Sequence, residues 1–110
     1  MKATFLAVVL LLSGSASAES LTDRHCALLS QLAEAIMDRR QDGAPMRDVI
    51  GWIDGTGLKG TREYDAARQM ISAAYEQTRW SSREARQRAS TDFGNEWAVQ
   101  CYQRVKEGQQ

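Results

Sequence analysis

The chain has 110 residues, of which 43% are hydrophobic and 25% charged. That is enough for one domain with a buried core and too few for two. Fourteen basic residues balance fourteen acidic ones, which excludes a global field able to gather nucleic acid or anionic lipid. Eleven of the basic residues are Arg, a count that GC-rich coding explains without any special site.

Residues 1–18 read as a secretory signal. Lys2 supplies the positive start, the segment from Phe5 to Leu12 is an unbroken apolar run, and Ala16-Ser17-Ala18 offers small residues at a cleavage site. The apolar run is far short of the ~20 residues that cross a bilayer. Residues 22–25, Thr-Asp-Arg-His, precede Cys26 and do not form a lipobox. The expectation is an exported bacterial protein, periplasmic or secreted, with no membrane span after cleavage and a single helical domain over residues 19–110.

A first helix is predicted over residues 21–41, capped by Ser20 or Thr22. Cys26, Leu29, Leu32, Ala33, Ile36 and Met37 recur at three- and four-residue spacing and form one apolar stripe. Asp42-Gly43-Ala44-Pro45 ends it, with Gly43 as the left-handed cap residue. A short second helix follows, with Pro45 at its first position and Met46, Val49, Ile50 and Ile53 on one face. A loop with three glycines, Asp54-Gly55-Thr56-Gly57-Leu58-Lys59-Gly60, leads to a third helix over residues 62–78 capped by Thr61. A fourth helix is predicted to run to residue 106. Ser81 and Glu84 match a capping box at its start, and Ala85, Ala89, Phe93, Trp97 and Cys101 repeat every four residues. Gly94 weakens its middle by ~1 kcal/mol relative to Ala, which a close approach to another backbone would explain. No strand pattern interrupts these segments. The expected class is all-α, a small bundle of three long helices and one short one.

Cys26 and Cys101 are the two cysteines. Both lie on apolar helix faces, and two cysteines allow one intramolecular pairing. In an oxidising compartment that pairing staples the first helix to the last. Closing so long a loop is worth roughly 4 kcal/mol in the chain-entropy model. A catalytic thiol is the rival reading, because His25 neighbours Cys26; adjacent helix positions point about 100° apart, so the ring would not face the sulfur.

Gly55 to Gly60 also spell G-x-G-x-x-G, with Glu76 about 20 residues on. A dinucleotide fold needs a parallel sheet, and no second strand pattern is present. One His and no ligand-spaced cluster leave little basis for a metal. Accordingly, no catalytic, cofactor or metal residues are assigned. Of the three tryptophans, Trp97 lies on the core row, Trp52 lies off the stripe of its helix, and Trp80 falls in a loop near Arg83. Trp beside Arg is typical of interface anchors. Trp80, Arg83 and Trp52 are therefore the candidate partner-binding residues.

The pattern Ala35-Ile36-Met37, Arg40-Gln41, Gly43, then Met70-Ile71, Ala74-Tyr75, Phe93 and Cys101-Tyr102 resembles a group of small exported proteobacterial helical proteins. They have one early and one late cysteine and no assigned activity. The resemblance implies a helical periplasmic domain. Exported immunity proteins of toxin systems are similar in size, though their cysteine pattern is not matched. The expected function is non-catalytic binding of another envelope protein, inhibitor or immunity-like. The alternatives are a small envelope enzyme using carboxylates, or a stress holdase.

Overall fold

A computed structural model describes residues 16–108. The helix α1 (Ala16–Gln41) packs against α4 (Arg83–Lys106) and α3 (Arg62–Glu76), and α2 (Met46–Asp54) packs chiefly on α3. Among the described residues the secondary structure is helical throughout, so the G-x-G-x-x-G segment has no sheet to serve. It is the α2–α3 loop, with Gly57 and Gly60 at positive φ. The predicted export signal at residues 1–18 falls mostly outside the described residues.

The apolar stripe of α1 is buried as its spacing requires. Cys26, Ala33, Ile36 and Met37 are fully covered. Val49 and Ile53 of α2, Ala67, Met70, Ile71 and Ala74 of α3, and Phe93 and Trp97 of α4 close over that stripe in one core. Phe93 and Trp97 meet edge to face, with ring centroids 6.4 Å apart.

The helices α1 and α4 run antiparallel. Near the start of α1, Cys26 bonds to Cys101 near the end of α4, with Cα atoms 5.5 Å apart. One turn on, Ser30 Oγ donates to the Gly94 carbonyl at 2.9 Å. A Cβ at position 94 would lie 3.0 Å from the Ser30 carbonyl oxygen and 2.5 Å from Glu34 Cγ. Gly94 is thus a point of close approach between the two helices. Glu34 can swing aside; the Ser30 backbone cannot. Gly94→Ala gains ~1 kcal/mol of helix propensity and incurs roughly 1–3 kcal/mol of overpacking. The expected result is a net loss of stability, read as a lower urea midpoint. A raised midpoint would show that the helices separate freely here.

Several boundaries differ from the sequence expectation. The helix α1 already includes the described residues from Ala16 onward. Ser20 and Thr22 therefore lie inside the helix and cannot cap it. Pro45 is the N-cap of α2 rather than its first residue, with ψ 147°. Its carbonyl accepts from the Asp48 and Val49 N–H groups. Ser82 caps α4, where Ser81 was expected: Ser82 Oγ accepts from the Ala85 N–H at 3.1 Å. That shift places Ala85 at the third helical position, so Glu84 closes no capping box. The helix α3 ends two residues early, at Glu76, and Gln77 is extended. Thr61 caps α3 as expected, accepting from the Tyr64 N–H. Gly43 is left-handed, φ +93°. It forms the expected end of α1 with Gly43 N–H to Arg40 O and Ala44 N–H to Arg39 O.

Candidate partner-binding site

The C-terminal end of α1 builds the site from residues that follow the apolar stripe. Gln41 continues that stripe one turn beyond Met37 and is 1% exposed. A buried amide has to find partners, and this one finds them in the extended segment between α3 and α4. Gln41 Nε2 donates to the Thr78 carbonyl at 2.8 Å. Its Oε1 accepts from the Trp80 N–H, also at 2.8 Å. The backbone carbonyl of Gln41 accepts from Arg79 Nε at 3.0 Å. Arg40 donates to the Gln77 carbonyl at 3.0 Å. Four consecutive residues, 77–80, are thereby held against one helix end without forming secondary structure themselves.

Arginines and aromatic rings brace the same end. The Arg40 guanidinium lies 5.0 Å from the centroid of the Tyr75 ring, and the Tyr75 hydroxyl donates to the Ala44 carbonyl. Burial pushes the Tyr75 hydroxyl above its ordinary value, Arg40 opposes the shift and Asp48 adds to it; the group stays protonated and able to donate. At the far end of the α2–α3 loop, Tyr64 OH donates to Asp54 Oδ1 at 2.6 Å. That hydrogen bond is the main cause of a raised hydroxyl value for Tyr64. The Arg79 side chain passes so close to Gly43 that a Cβ there would sit 2.9 Å from its Nη2.

On this clamped segment the Trp80 side chain is 48% exposed. Arg83 follows at the first position of α4 and is exposed. Residues 77–90 carry four Arg and one Glu. Two of those arginines are engaged with carbonyls, Arg79 with Gln41 and Arg86 with Ser81. Arg83 makes no hydrogen bond or ion pair among the described residues. Trp80 and Arg83 are thus neighbours on one exposed, positively charged turn.

Trp52 is placed differently. It is half-buried, packs against the core, and the Arg39 guanidinium covers its ring at 3.8 Å. That geometry is a cation–π contact within the domain, made by an Arg39 that is itself exposed. Gln41, Arg40, Arg79 and Tyr75 position the site, and the sequence reading assigned none of them to it. For Gln41 a signal existed: a polar residue at the next stripe position after Met37. The other three contacts depend on long-range packing.

The arrangement defines a disulfide-stapled four-helix domain that presents one braced, basic aromatic turn. No family model, curated protein or solved structure matches the chain.

Proposed function

We propose that this domain acts by binding another protein of the cell envelope, without catalysis, through a contact centred on Trp80 and Arg83. The observation that carries the reading is an exposed Trp80 whose backbone is fixed by a buried Gln41. A large side chain on a pre-ordered turn loses little freedom on binding, and Trp and Arg dominate interface hot spots. The excess of Arg around it selects an acidic partner surface and speeds encounter at low salt. Export fits the Cys26–Cys101 disulfide, since such bonds persist in oxidising compartments. No helix among the described residues is long and apolar enough to cross a membrane. An inhibitor or immunity-like role is the form of binding that needs no chemistry of its own.

The test is a pull-down from envelope extract with the disulfide-bonded protein, followed by affinities for the partner recovered. Trp80→Ala is expected to weaken binding by ~2 kcal/mol or more, with the melting temperature little changed. Trp52→Ala is expected to do the reverse: it removes a ring packed on the core and its contact with Arg39, lowering stability while folded protein keeps its affinity. Equal affinities for wild type and Trp80→Ala would rule out this turn as the contact.

A further inference from the structure

The opposite end of α1 holds a second feature, about 22 Å away by helix rise from Cys26 to Gln41. Beside the disulfide, the starts of α1 and α3 and the end of α4 diverge around a cleft of about 550 Å³. That volume lies within the roughly 300–1,000 Å³ of small-molecule sites. One wall is apolar: Leu21 and Leu29 from α1, Ala66 from α3 and Val105 from α4. Leu21 is 62% exposed, so apolar surface in the cleft remains open to water. Cys101 of the staple also lines it.

Among the described residues, the charged groups that line the cleft do not balance. Arg62 and Arg104 line it with a single carboxylate, Glu63, and His25 adds a ring nitrogen. Among the described residues neither arginine is in an ion pair; the pairs there join Arg47 to Asp48 and Arg68 to Asp54. Two guanidinium groups with no ion pair among the described residues, beside an apolar wall, complement a ligand with one anionic head and one hydrocarbon tail. Guanidinium forks suit the planar carboxylate in particular.

We propose that this cleft binds an amphipathic carboxylate of the medium-chain fatty-acid class. The tail lies on Leu21, Leu29, Ala66 and Val105, and the carboxylate is held by Arg62 and Arg104. The site is separate from the Trp80 turn and does not depend on its role.

Isothermal titration of the disulfide-bonded protein with decanoate, below its micelle concentration, tests this. The expected result is saturable binding of one decanoate per chain. Acetate, which has the head without the tail, and decanol, which has the tail without the charge, are each expected to bind at least about tenfold more weakly. Arg62→Gln combined with Arg104→Gln is expected to lower decanoate affinity by about tenfold or more; Trp80→Ala is expected to leave it unchanged. Should the double variant fail to fold, the comparison of decanoate with decanol on the wild-type chain still decides. No saturable decanoate binding, equal affinity for decanol, undiminished affinity in a folded double variant, or binding only to phosphatidylglycerol vesicles would each overturn the proposal.

Discussion

Replacing Cys26 and Cys101 together by serine is expected to lower unfolding stability by about 4 kcal/mol. The two residues are 75 apart in sequence, so the staple closes most of the folded chain into one loop. Its main effect falls on the unfolded chain, which loses the freedom to separate its ends. Small domains are stable by about 5–15 kcal/mol in total, which makes this loss a large fraction. The native contacts of α1 with α4 survive in principle, because Ser30, Gly94, Phe93 and Trp97 still pack. Urea unfolding of the double variant against the oxidised wild type checks it. A lower midpoint with a steeper slope is expected, since the unlinked chain exposes more surface on unfolding. A difference under about 1 kcal/mol would mean that the unfolded chain is already compact and that loop closure is not what the staple contributes.

Gln41→Ala is expected to cost about 2–4 kcal/mol, because it removes the partner of two backbone groups at once. The Thr78 carbonyl loses a donor and the Trp80 N–H loses its acceptor. The cavity left by a fully buried amide adds to that. The damage should be local as well as global: residues 77–80 have no hydrogen-bonded secondary structure to fall back on. Amide exchange at Trp80 should accelerate far more than at Ala33 or Ile71, whose environment is untouched. Affinity at the Trp80 turn should fall too, through lost pre-ordering rather than a lost contact. A destabilisation spread evenly over the domain, with Trp80 still protected, would contradict the role given to Gln41.

The fold was legible in the sequence where periodicity and special residues carry it. The stripe from Cys26 to Met37 places one face of α1 in the core, and Val49, Ile53, Met70, Ile71, Phe93 and Trp97 do the same for their helices. Gly43 needed a left-handed position and takes one; Gly94 needed a neighbour and has the Ser30 backbone. Helix starts were less legible. Ser81 and Ser82 are adjacent and chemically equivalent caps, and residue type alone does not choose between them. The same limit applies to the candidate site. An exposed Trp80 beside Arg83 could be anticipated from the loop, but its bracing could not, since Gln41 and Trp80 are 39 residues apart. Trp52 illustrates the converse. Lying off the stripe, it looked available to a partner, and the Arg39 guanidinium one helix away covers it. The cleft beside the disulfide was invisible in the sequence because it joins the ends of three separate helices.

The most direct test of the binding account places a photoreactive side chain at position 83 in one variant and at position 28 in another. Leu28 is 63% exposed and lies on α1 near the disulfide, away from the Trp80 turn. Both variants are irradiated in the cells that make the protein. The account predicts a single discrete protein adduct from position 83 and none of that mass from position 28. No adduct from position 83, or the same adducts from both positions, would contradict it.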